Sequence, residues 1–241
     1  MKKATYFAIA TLALLFAACK EEEKEKPKVS YDDTSKVKAE SPKADTSSVA
    51  IADLPIHITG TDYLIHPIGD VRIAEKTKYD SGSSGSGAVS YTISNYNEFE
   101  IAGFLRNLKF QQTGSDSLKV LTDQPVMIQS ATYLKAFADK GKTQLLVYTL
   151  ADIDTNKDGK IDASDIKTLY ISTISGDRFT KLSPDMQELI DWKLVEQKDR
   201  LYFRTIEDAN KNGEFDKEDK LHYNYVDLTG KEWKVTAYQP M

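Results

Sequence analysis

From residue 145 onward the chain alternates between short runs rich in Tyr, Val, Ile, Leu and Thr and stretches dominated by Asp, Asn, Gly and Lys. The runs at 145–150, 169–174, 201–206 and 221–228 are six to eight residues long and roughly alternate apolar with polar positions. That is the period of a half-buried strand. Two shorter runs, 179–182 and 233–237, follow the turn sequences Ser-Gly-Asp at 175–177 and Thr-Gly-Lys at 229–231. In both turns Gly is expected to supply the positive φ of a tight hairpin. Further strands are predicted at 126–129 and 189–195, and upstream at 63–68, 89–93 and 99–105, with a short helix over 131–139 before Gly141.

The pattern repeats. The segment from Leu146 aligns without a gap on the segment from Arg200, at an offset of 54. Tyr148 falls on Tyr202, Asp154 on Asp208, Gly159 on Gly213, Asp165 on Asp219, Gly176 on Gly230 and Phe179 on Trp233. A fainter copy starting at Leu108 overlays the segment from Leu169 at an offset of 61. The predicted units are therefore 104–122, 126–184 and 186–239, within a domain spanning 51–241. The last two read as four strands, up and down, with an acidic loop between the second and third. The expected fold class is mainly β, built from repeated four-stranded antiparallel meanders. A strand–turn–strand ending in Leu-Ser-Pro-Asp, 182–185, is similar to a blade of a TolB-type β-propeller. That resemblance implies a propeller-like arrangement, closed or open, since closed propellers use about four or more blades.

The two acidic loops carry the strongest chemistry. They read DTNKDGKIDASD over 154–165 and DANKNGEFDKED over 208–219. Both resemble the twelve-residue calcium loop of the EF-hand family, and the spacing follows what a hard cation with six to eight oxygen ligands requires. Positions 1, 3 and 5 offer side-chain oxygens, from Asp154, Asn156 and Asp158, then Asp208, Asn210 and Asn212. Position 6 is Gly159 or Gly213, for the sharp turn. Position 7 gives a backbone carbonyl, so its side chain is free to be Lys160 or Glu214. Position 8 is Ile161 or Phe215, expected to anchor the loop to the core. Positions 9 and 12 are Asp162 and Asp165, then Asp216 and Asp219. Asp at position 12, where the family has Glu, together with Asn at position 3, is closer to dockerin-type loops. The residues after each loop predict a strand, whereas those families have a helix. The expected cofactor is Ca2+ at two sites, with four carboxylates in the first and three in the second.

The N-terminus reads MKKATYFAIATLALLFAAC. Two Lys precede an apolar run of about 15 residues, shorter than the roughly 20 that span a bilayer and suited to a secretory signal. Ala17 and Ala18 precede Cys19, the only cysteine. This resembles a bacterial lipobox, with Phe16 where Leu is usual, and implies a signal peptide over 1–18 and a lipid on Cys19 that holds the protein to the membrane. The following Lys-Glu-Glu-Glu, residues 20–23, is similar to the surface-export signal of Bacteroidetes lipoproteins, which implies the outer membrane or cell surface. Residues 20–50 hold 15 charged positions and no Phe, Trp, Leu or Ile, and predict a solvated tether. A second low-complexity patch, SGSSGSG at 81–87, predicts a loop.

With 32 basic and 37 acidic residues the chain lacks the basic footprint of a nucleic-acid binder. One Cys excludes a disulfide framework within the chain. His57, His66 and His222 show no metal spacing, Trp192 and Trp233 read as core aromatics, and no catalytic constellation stands out. The leading expectation is a calcium-stabilised surface lipoprotein that acts as a binding or structural module toward a protein or glycan partner. An envelope enzyme acting on glycans or peptides and a dockerin-like calcium-dependent docking protein are the alternatives.

Overall fold

The computed structural model describes residues 26–31, 48–72 and 92–241. The signal-like segment 1–18, Cys19, the patch 81–87 and residues 89–91 of a predicted strand lie outside them. The chain is mainly β. Its strands are β1 (Ser48–Ala52), β2 (Ile56–His57), β3 (Tyr63–Arg72), β4 (Ser94–Asn97), β5 (Glu100–Gln112), β6 (Leu118–Val120) and β7 (Met127–Tyr133). After a one-turn helix α1 (Lys135–Ala138) follow β8 (Leu145–Ala151), β9 (Thr168–Thr173), β10 (Thr180–Lys181), β11 (Gln187–Val195), β12 (Arg200–Glu207), β13 (Lys220–Asp227) and β14 (Val235–Ala237). Among the described residues no helix is long and apolar enough to cross a membrane.

The strands form two antiparallel sheets. One has ten strands along the path β1-β3-β5-β7-β8-β9-β10, with β2 on β3 and both β4 and β6 on β5. The other is the meander β11-β12-β13-β14. The predicted unit 186–239 is thus one complete sheet. The predicted unit 126–184 is the meander β7-β8-β9-β10, but β7 also pairs with β5, so this unit continues into the upstream strands. The upstream unit, 104–122, is the β5–β6 hairpin.

Packing explains the central strand. β8 reads LLVYTLA and buries side chains on both faces. Leu146, Tyr148 and Leu150 join a core cluster with Ile65, Ile101, Leu105, Phe110 and Ile128. Leu145 and Val147 face a second cluster, where Leu169 and Ile171 of β9 meet Leu189, Leu201, Phe203 and Val226 of the four-stranded sheet and Trp233 of its β13–β14 connection. The second cluster therefore glues the two sheets together. The larger sheet curls round the first. In a flat sheet β5 and β9 would stand about 14 Å apart, at roughly 4.8 Å per strand. Yet a Cβ on Gly176, in the turn after β9, would lie 2.5 Å from the Phe110 ring of β5.

Three local expectations change. The helix predicted over 131–139 shrinks to α1, because Ala131 and Tyr133 pair with Tyr148 and Leu146 of β8 and are buried there. Of the strand predicted at 89–93, the described residues 92 and 93 are not in a strand, and β4 begins at Ser94. It is fixed by the Asp53 carboxylate, which accepts the N–H groups of Ile93 and Ser94 at 3.2 and 2.8 Å. Gly176 has the expected positive φ of 74°, whereas Gly230 turns without one.

Candidate metal centre

The acidic loops join equivalent strands: 152–167 links β8 to β9, and 208–219 links β12 to β13. The ladders fix the loop ends, since Leu150 pairs with Thr168 and Glu207 with Lys220. Each loop is then built by its own side chains, which cap the backbone as Asx turns do.

Seven hydrogen bonds in the first loop recur in the second, each shifted by 54 residues. The Asp154 carboxylate accepts the N–H of Asp158 at 3.1 Å and of Gly159 at 2.8 Å, as Asp208 accepts Asn212 at 3.2 Å and Gly213 at 2.7 Å. Asn156 accepts Asp158 and Asn210 accepts Asn212, both at 2.9 Å. Asp158 accepts Lys160 and Asn212 accepts Glu214, both at 2.8 Å. Asp162 accepts Ser164 and Asp216 accepts Glu218, both at 2.8 Å. Asp165 closes the first loop by accepting Thr155 at 2.7 Å and Asp162 at 2.9 Å; Asp219 accepts Ala209 at 3.1 Å and Asp216 at 2.8 Å. Backbone shape repeats as well, with positive φ at Lys157 and Gly159 and at Lys211 and Gly213. The predicted ligand position filled by Asp in one copy and Asn in the other, 158 and 212, keeps the same bond.

All twelve predicted ligand residues therefore lie on two like-shaped loops. Cys19, the predicted lipid site, lies outside the described residues. The loop carboxylates are turned onto backbone N–H groups. Among the described residues no three Asp, Glu, His or Cys side chains converge in metal-ligating geometry. The donor set still suits a hard cation, because an ionised carboxylate has about four lone-pair sites and these use only part of them. The Lys160 and Glu214 side chains are exposed, as a backbone-carbonyl role allows. Ile161 and Phe215 are half-buried and belong to neither core cluster, so they anchor less than expected.

The loops differ in which acid is buried. In the first it is Asp165, 1% exposed. Burial pushes its carboxyl above the usual range, against four hydrogen bonds that favour the charged form. In the second it is Asp208, 4% exposed.

The cause of the second burial is a segment that composition assigns to the tether. Residues 26–31 lie across both loops. Lys28 N–H donates to Ser164 O at 3.2 Å, Val29 N–H to Gly213 O at 3.0 Å and Ser30 N–H to Thr155 O at 2.8 Å. Thr155 Oγ1 returns a bond to Lys28 O at 3.1 Å. Val29 is 6% exposed. Tyr31 reaches the Asp208 carboxylate, and burial, followed by the charge and hydrogen bond of Asp208, pushes its phenol up to about 12. The sheet also starts before the predicted boundary, at Ser48. The signal in the sequence is slight. Val29 and Tyr31 are two alternating apolar side chains within a charged run.

Each histidine has a hydrogen-bond partner of its own. His57 meets Thr61 O, His66 meets Gln111 and His222 meets Glu207. Trp233 is buried between the sheets and Trp192 packs against the same cluster. Comparison with known proteins finds no family model, no curated protein and no solved structure that matches this chain.

Proposed function

We propose that this chain is a calcium-binding lipoprotein of the outer membrane or cell surface, in which two EF-hand-type loops hold Ca2+ as a structural ion in a β-rich, propeller-like binding or structural module. Its partner is a protein or a glycan, and the membrane contact runs through lipid on Cys19. One observation carries the metal reading. The same seven-bond loop occurs twice, at equivalent points of a repeated meander, with an oxygen-bearing side chain at positions 1, 3, 5, 9 and 12 of both copies. Turns that served only to cap backbone would not need carboxylates at positions 1, 9 and 12 of both copies, because mutual repulsion works against them. Mg2+ keeps its waters and demands octahedral geometry, so Ca2+ fits a flexible loop of this length better.

The strands flanking both loops favour a structural ion over a dockerin-like docking switch, which would use helices there. Calorimetric calcium titration of the full chain tests the reading. Two sites are expected, at about 10⁻⁴–10⁻³ M as in extracellular modules. Asp154→Ala should remove the tighter site, with four carboxylates, and Asp208→Ala the weaker, with three. Absence of calcium heat, or equal affinities, refutes the corresponding part.

A further inference from the structure

We propose that residues 26–31 are a strap that fastens the N-terminal segment onto both acidic loops and makes the two loops one coupled unit. The strap touches each loop through backbone. Its Lys28 and Ser30 N–H groups reach the first loop, at Ser164 O and Thr155 O, and its Val29 N–H, lying between them, reaches Gly213 O of the second. Neither loop can shift these carbonyls without losing a bond to the same three residues. The second loop is shaped for the strap: a Cβ on Gly213 would stand 2.5 Å from Val29 O, whereas a Cβ on the equivalent Gly159 would meet nothing within 4 Å. The first loop is shaped for it differently. Thr155, where the second loop has Ala209, uses one hydroxyl to hold Lys28 O and to accept Ile166 N–H at 3.1 Å, which joins the strap to the start of the strand region.

Docking also fixes how far the domain can stand from its N-terminus. Cys19 is nine residues from Lys28 and 29 from Ser48. At about 3.3–3.6 Å per residue, the longest separation between Cys19 and the first fixed residue falls from about 100 Å to about 30 Å when the strap is down. Linkage then gives the strap a regulatory sense, and this part rests on the calcium reading above. A cation that orders either loop favours strap docking, and a docked strap favours cation binding at that loop by the same factor.

Hydrogen exchange on the full-length chain tests the strap without any metal. The amides of Val29 and Ser30 should be protected. Ser30→Pro, which removes the donor to Thr155 O, should speed exchange over 154–165 and 208–219 together, with β8 and β12 unchanged as the control for folding. Val29→Gly, which leaves all backbone donors, should give the same joint loosening to a smaller degree. Free-chain exchange of residues 26–31 in the unsubstituted protein, or loosening of one loop alone, overturns the proposal. In calcium titration Ser30→Pro should weaken both sites, each by about fivefold or more. Calcium heat with unchanged affinities in this variant overturns the linkage. Absence of calcium heat in the unsubstituted protein overturns the calcium reading, while exchange still decides the strap.

Discussion

Gly159 and Gly213 occupy the same position in two copies of one loop, with φ of 86° and 85°. Sequence alone would give their replacement by Ala the same effect. The structure separates them. Both substitutions force an L side chain into the left-handed region, at about 1–2 kcal/mol. At 159 that is the whole effect, since the new Cβ meets open space. At 213 the Cβ would stand 2.5 Å from Val29 O, so the strap must leave. The added destabilisation is therefore capped by the net docking free energy of the strap. Its four hydrogen bonds contribute about 1 kcal/mol each, and burial of Val29 about 1.5 kcal/mol. Ordering the backbone of residues 28–30 opposes this by about 4–5 kcal/mol. Roughly 1 kcal/mol remains. Urea unfolding should thus place Gly213→Ala about 1 kcal/mol below Gly159→Ala. In a Ser30→Pro background, where the strap is already weakened, the gap should close. Equal effects in the parent chain, or a gap that survives Ser30→Pro, would refute the placement of the strap over the second loop.

At about 2 mM free calcium, binding at 10⁻⁴–10⁻³ M stabilises by about 0.6–1.8 kcal/mol per site, so chelation should lower the melting temperature by several degrees in a differential scan; an unchanged temperature counts against structural calcium. Gly176→Ala should destabilise by about 1–3 kcal/mol more than Gly114→Ala, because both glycines have positive φ but only the first would drive a Cβ into Phe110; equal effects in urea would mean the larger sheet is not curled onto that ring. Cys19→Ser should release the protein from membranes or leave it unprocessed on fractionation; a variant processed and retained like the parent would remove the lipid anchor from the proposal.

Much of the β framework was legible because it depends on local alternation. The expected 145–150, 201–206 and 221–228 lie within a residue of β8, β12 and β13. The repeat was legible because the loops punctuate it at a fixed offset. What the sequence hid is non-local. Ala131 and Tyr133 look helical until β5 and β8 take their backbone bonds from either side. The continuity of β7 with β5 merges one meander into a larger sheet, and no local pattern encodes which strand pairs with which. The strap was hidden for a compositional reason. A stretch that is half charged averages to a tether, yet it needs only Val29 and three peptide groups to dock. The loop anchors were misassigned for a related reason. An apolar residue at position 8 suggests Ile161 and Phe215, but Ile166 and Thr155 in the first loop, and the strap over the second, supply the burial.

The framework around the loops also decides what an ion can do to them. In helix–loop–helix sensors the ion changes an angle between two helices that are free to separate. Here the strands at the ends of each loop are paired to one another. β8 and β9 are in register from Leu145 opposite Thr173 to Leu150 opposite Thr168. β12 and β13 are in register over eight pairs, from Arg200 opposite Asp227 to Glu207 opposite Lys220. Separating either pair would break a ladder and open the cluster that holds Leu201, Phe203 and Val226 between the sheets. One to two kcal/mol from an ion cannot offset that, since burying one such side chain contributes about 1.5–3 kcal/mol. Calcium should therefore leave the far-UV spectrum β-rich and unchanged at room temperature, and it should expose no surface to a hydrophobic dye. Its effect in hydrogen exchange should be confined to 154–165, 208–219 and 26–31. A calcium-driven gain in helix, or dye binding that appears with the ion, would show that the strand pairs do open and that the loops act as a switch.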